Sequence, residues 1–245
     1  MCSLPKIEFG EKPDISHEEL NNMIALNITK EDQMKICEFK KFIDLQNIKA
    51  FWQNLPIDNR GNLNEKEIEE ALLVGELLPH YVFDFIQKYK NNEDRIKNFP
   101  IIYSNFWQEE INKSSGFLND YFSFERECRL ILTALRAKEQ KRDFLSEIFF
   151  EDSKDFLISS LISQKGTEDF GFMSAQVAIR DIFNKNKDNP DKLNFLFLQY
   201  RFKYINSIHT SSSFDINAVL KFLALLYLVE DTIADRTKQI LNTLC

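Results

Sequence analysis

The sequence predicts an all-α protein, one multi-helix domain of stacked helical hairpins spanning residues 1–245, with a short extended segment at the N-terminus. Three observations carry this reading. Glycine and proline occur only six times each in 245 residues, too few for the many tight turns of an all-β fold. Helix-start signatures recur, with Ser16/Glu19 and Asn64/Glu67 each spaced as a capping box. Apolar residues follow a helical period, most clearly at Phe124, Cys128, Ile131 and Leu135, which share one face at about 100° per residue.

Pro5, Gly10 and Pro13 keep the first dozen residues extended, and Ser16 then caps a first helix. A second helix runs over about 31–54, with Met34, Cys37, Phe42, Leu45 and Ile48 as buried candidates, and Pro56 and Gly61 close it. A third occupies 65–78, Pro79 breaks or restarts it, and 81–90 continue in helical period. Asn91 and Asn92 read as a polar turn, Pro100 opens a segment through residue 112, and Ser114-Ser115-Gly116 separate it from a long helix over 117–141. Asp143 or Asp152 caps the next pieces, which reach Gln164. Lys165-Gly166-Thr167 is a stop before a helix over 169–184, and Pro190 takes the first position of another that covers 195–208. After a loop at 210–213, helices follow over 215–230 and 232–244. Residues 219–229 are apolar nearly all round, as a central core helix requires. The Asn/Lys-rich stretch near Lys185 is the best candidate for an internal joint, and no fixed-period repeat is visible.

Composition narrows the function. Hydrophobic residues at 44% and charged residues at 28% are ordinary for a soluble globular chain with room for a sizeable core. The 23 phenylalanines, with the Ile, Lys and Asn bias, read as an AT-rich coding sequence rather than a mechanism. A net charge of −7 argues against nucleic acid, whose affinity comes from clustered Lys and Arg neutralising phosphates. Cys2, Cys37, Cys128 and Cys245 form no metal or redox spacing and read as reduced thiols in the cytosol. Pro5, Lys6 and Glu8 interrupt any signal peptide, and the longest apolar run, 218–229, is too short to span a bilayer and contains Lys221.

No catalytic motif is present. The stretch 57–72 looks like a calcium loop, but aligning Gly61 with the sixth position puts Pro56 and Arg60 at ligand positions, leaving Asp58 and Glu67 as the acids. His17, His80 and His209 sit in no HExxH pattern, and a nucleophile elbow, a phosphate loop and a dinucleotide fingerprint are all missing. No metal or cofactor is therefore expected. The adjacent acids Glu109-Glu110 and Glu151-Asp152 read as solvated faces. The most informative charges lie on the long helix, Glu125, Arg126, Arg129 and Arg136, of which Glu125, Arg129 and Arg136 line the border of its apolar face. One reading is a surface ion pair, Glu125 to Arg129 at i,i+4, worth about 0.3–0.5 kcal/mol. The other is an arginine row that receives a partner's carboxylates bidentately. On that second reading, reversing Arg129 and Arg136 weakens assembly without unfolding the chain.

Three stretches carry a family likeness. Leu4-Pro5, Phe9-Gly10, Lys12-Pro13 and Ile15-Ser16 match an opening "LPxLxFGxxPxIS"; Phe124 to Arg129 with Ala134 to Ala137 match a helix "FERxLRxxLxALRAR"; Phe214 to Leu220 match "FDIDxxLAYLLKL". In this the chain resembles a bacterial family of unknown function encoded with V/A-type ATPases, a divergent relative of the C-type central-stalk component of those enzymes (d-type in eukaryotes). The resemblance implies a helical funnel in the central stalk, without catalytic or nucleotide site. Its partners would be the other central-stalk subunits and the membrane rotor ring, and its task the coupling of the soluble motor to the ring for ion transport or ATP synthesis. It further implies a cytoplasmic location, peripheral to the inner membrane as part of the complex, with no transmembrane segment of its own. The alternative is a stand-alone helical adaptor or regulator of another complex. A helical enzyme using gathered His and acidic residues stands third.

Overall fold

A computed structural model describes residues 4–75, 77–164, 174–211 and 215–244, the side chains of 174–175 and 236–244 excepted. Helices make up most of the described chain, with no strand among the described residues, and the all-α expectation holds. The stop read at 165–167, the helix start at 169, Phe214, Cys2 and Cys245 lie outside these residues. Two compact units form, one from residues 20–114 and one from the terminal stretches 1–19 and 115–245. The candidate joint near Lys185 lies inside the second unit, within a helix, so the polar run there is surface rather than linker.

In the 20–114 unit, α1 (His17–Asn27) crosses the boundary and leads to α2 (Lys30–Trp52), α3 (Glu65–Val74), α4 (His80–Lys88), α5 (Asn92–Asn98) and α6 (Pro100–Lys113). The two sequence-predicted capping boxes are present. Ser16 Oγ accepts from Glu19 N while Ser16 N donates to Glu19, and Asn64 and Glu67 do the same reciprocally. Asn91 is no simple turn residue: its side chain caps α5 by accepting from Asp94 N.

The core of this unit is aromatic. Phe42 lies 4.9 Å from Trp107 and 5.2 Å from Tyr103, while Trp52 packs on Phe85 and Phe99. Two expected core residues are not in it. Met34 is 60% exposed and Cys37 is exposed, whereas Ile36, Phe39 and Ile43 are buried. Apolar residues lie on several sides of α2, so the packing neighbours and not the local pattern select the buried face.

The loop after α2 is pinned by that helix. Asp44 Oδ1 accepts from the backbone of Asn62 and Leu63, and the Asn47 side chain both donates to and accepts from the backbone of Asp58. Gly61 is needed there for space, because a Cβ would lie 2.6 Å from Asp44 Oδ1. The supposed calcium loop thus has its carboxylates occupied: Arg60 holds Asp58 at 2.6 Å, and Glu67 caps α3.

The terminal unit contains α7 (Phe117–Glu139), α8 (Phe144–Glu147), α9 (Phe156–Ser163), α10 (Ser174–Asn186), α11 (Pro190–Ser207) and α12 (Ile216–Leu244). Asp143 caps α8 and Asp155, rather than Asp152, caps α9. The two helices expected over 215–230 and 232–244 are one: Thr232 Oγ1 donates back to Leu228 O, so the polar step at 230–232 continues the helix. Leu220, Leu223, Leu226 and Val229 are fully buried, as expected of a core helix. Lys221 does not break that core, since its ammonium donates to Asn206 O and Ile208 O and closes the C-terminus of α11.

The extended N-terminal segment is a strap on this unit. Phe9 sits 5.4 Å from both Phe195 and Phe202, and His17 donates its backbone N–H to Glu230 of α12. Gly116, before α7, adopts φ +60°, ψ −138°, and a Cβ there would lie 2.8 Å from Asn217 Oδ1. We expect Gly116→Ala to lower stability by about 1–3 kcal/mol, from backbone strain plus this clash. Urea denaturation checks it, with a lower midpoint at unchanged slope as the expected result.

Candidate functional site

Helix α7 is the hub of its unit, packing against α8, α9, α10 and α12. Phe124, Cys128, Ile131 and Leu135 are all buried, as the period predicts, and Phe122, Leu130, Ala134 and Ala137 are buried too. The helix is enclosed on more than the one predicted face because it has neighbours on several sides. Its first free N–H is capped from a distance: Phe117 N donates to Asn217 Oδ1 at 3.1 Å. Asn217 is oriented for this by Asp215, which accepts its amide hydrogens at 3.0 Å.

The four charges singled out in the sequence have different tasks. Glu125 accepts from Nε and Nη2 of Arg201 on α11, each at 2.9 Å. Burial works against the Arg201 charge, but Glu125 and then Tyr121 outweigh it and hold the guanidinium charged. Arg126 donates to Glu151 at 3.3 Å and to Asp155 at 3.0 Å, and Arg129 reaches Glu151 at 3.4 Å. The Glu151 side chain is wholly buried, against 13% and 22% exposure for the two arginines. Arg136 is exposed, and its side chain has no hydrogen-bond or ion-pair partner among the described residues.

The acids read as solvated faces need correcting. Glu151 is buried between two guanidiniums, and Glu110 is 2% exposed with Lys41 Nζ at 3.1 Å. A carboxylate can be taken from water where a cation and hydrogen bonds replace its hydration. The sequence analysis missed Glu151, Arg201 and Asn217. Only for Glu151 was there a local sign, an acid directly after Phe149-Phe150.

Burial pushes Cys128 well up and Tyr121 up, in both cases with Glu125 adding to the effect, so both stay protonated. Of the histidines, His17 holds Glu230, while His80 lies 3.5 Å from Glu109 and is 76% exposed. No cluster of three metal-capable side chains occurs among the described residues, and none of their helices is long and apolar enough to cross a membrane.

The 20–114 unit holds a second unusual feature. Leu73, Val74 and Leu77 are 80%, 61% and 74% exposed around the turn that ends α3. Gly75 closes that helix in the left-handed region at φ +82°, and Leu77 also has positive φ, +67°. A leucine rarely takes this conformation, so the turn combines backbone strain with exposed apolar side chains.

These features define a helical scaffold with a buried ionic hub and an exposed apolar turn. The chain belongs to the family described as protein of unknown function DUF2764, whose pattern it matches over residues 1–240. It is similar to uncharacterized proteins of Chlamydia muridarum (24% identical, covering 83% of this chain and 79% of the relative) and Chlamydia trachomatis (25%, covering 86% and 82%). A further uncharacterized protein, from Chlamydia pneumoniae, is 24% identical over 94% of this chain and 90% of its own length. No solved structure matches.

Two outcomes test the hub. Glu151→Ala leaves Arg126 and Arg129 facing a buried void, and should cost about 3–5 kcal/mol in urea denaturation. In thiol labelling of the native protein at pH 8, Cys37→Ser should remove one fast-reacting thiol and Cys128→Ser none, because Cys37 is exposed and Cys128 is buried and protonated.

Proposed function

We propose that this protein is a non-catalytic coupling subunit in the central stalk of a V/A-type rotary ATPase or ATP synthase, a funnel-like helical body linking the soluble motor to the membrane rotor ring. The observation that carries an assembly role is the strained apolar turn at Leu73, Val74 and Leu77. Exposed leucines bring an isolated protein no stability, whereas an apolar patch that docks on a partner gains by leaving water. The surroundings of α7 favour the same reading, since burial, with Glu125 adding to it, keeps the Cys128 thiol and the Tyr121 phenol in their neutral forms rather than poising them for proton transfer. The particular complex comes from the likeness of the opening, central and tail motifs.

The experiment is an affinity pull-down of the tagged chain from mildly solubilised native membranes, with retained proteins identified by mass spectrometry. Stalk, catalytic and ring subunits should be recovered in constant ratio, and less of them at high salt. Leu73→Glu combined with Leu77→Glu should reduce that recovery at least about tenfold, as expected for losing apolar anchors, while circular dichroism stays unchanged. Recovery of a different complex in constant ratio supports a stand-alone adaptor instead.

A further inference from the structure

Between α7, α10 and α11 lies a cleft of about 400 Å³, within the roughly 300–1,000 Å³ range of small-ligand sites. Its walls are apolar: Leu132 from α7, Phe183 from α10, and Leu193, Phe197 and Leu198 from α11. Most of the polar groups that line it are already satisfied. Arg201 is held by Glu125 at 2.9 Å, Lys187 and Glu139 hold each other at 2.8 Å, and Asn194 donates to Asp235 at 2.8 Å. Arg136 is the exception, a lining residue that is exposed and whose side chain has no hydrogen-bond or ion-pair partner among the described residues.

An arginine with no acid partner among the described residues, set beside an apolar cleft, complements an anion that carries a hydrocarbon tail. The guanidinium forks onto a carboxylate, and the apolar walls gain by exchanging water for methylenes. A purely polar anion would leave those walls wet, and a neutral hydrocarbon would leave Arg136 unused. We propose that this cleft binds a single-chain amphipathic carboxylate, with the tail against Leu132, Phe183 and Phe197 and the carboxylate on Arg136. The site is independent of the coupling role, because it draws on neither the apolar turn nor the identity of any protein partner.

The test titrates the full chain, stripped of lipid, with dodecanoate below its micelle concentration in a calorimeter. Saturable binding near one equivalent is expected. Arg136→Gln should weaken it at least about tenfold, the effect of losing a charged hydrogen-bond partner. Dodecanol should bind the wild type no better than dodecanoate binds Arg136→Gln. Leu132→Trp, which narrows the cleft, should weaken binding with helix content unchanged. Arg136→Gln alone decides the matter should Leu132→Trp fail to fold, since the Arg136 side chain is exposed and has no hydrogen-bond or ion-pair partner among the described residues. No saturable binding to the wild type, or binding that Arg136→Gln leaves within about twofold, overturns the proposal. So does a wild type that ignores dodecanoate while Arg136→Gln loses proteins retained in the pull-down, which would assign Arg136 to a protein contact.

Discussion

The terminal unit depends on one buried carboxylate. Glu151 lies outside α7, yet its side chain is fully withdrawn from water and shared between Arg126 and Arg129 of that helix. Taking a carboxylate out of water costs several kcal/mol, and two guanidiniums offset that cost only while the geometry holds. Arg126 is further tied to Asp155, which also caps α9, so one set of charges registers the 148–156 stretch and the next helix against α7. The net contribution of these charges to stability is small, because an apolar core of the same volume would avoid the desolvation.

With α7 held in this way, the other contacts fall into place around it. Glu125 points to Arg201 on α11, and Phe124 stacks on Tyr204 of the same helix at 3.7 Å. Asn217, at the start of α12, caps the N-terminus of α7, which links the tail of the chain to its middle. The N-terminal strap closes the set through Phe9 and His17. Of the four charges singled out on α7, three hold it to its neighbours, while Arg136 has no side-chain hydrogen-bond or ion-pair partner among the described residues. Arg129 is therefore a poor probe of assembly: reversing it would set a second carboxylate against Glu151 and disturb the fold first.

Much of the architecture was legible because helix ends are local matters. The capping boxes at Ser16/Glu19 and Asn64/Glu67, Pro190 at the start of α11 and the apolar run in α12 all involve residues within a turn or two of each other. Local chemistry misled where two readings fit one pattern. Asn91 was equally a turn residue and a cap, and the polar step before Thr232 was equally a break and a continuation.

The sequence by itself determined the helical class, most of the helix boundaries and the absence of the common catalytic motifs, all of which rest on residue type and short spacing. Tertiary structure alone decided which acids are buried and which arginine of α7 has no partner among the described residues. Glu151 meets Arg129 across 22 residues and Glu125 meets Arg201 across 76, distances at which no periodicity carries information. Whether a charge lies in water or against its counter-ion depends on what the chain brings back to it, and that is settled only when the helices pack.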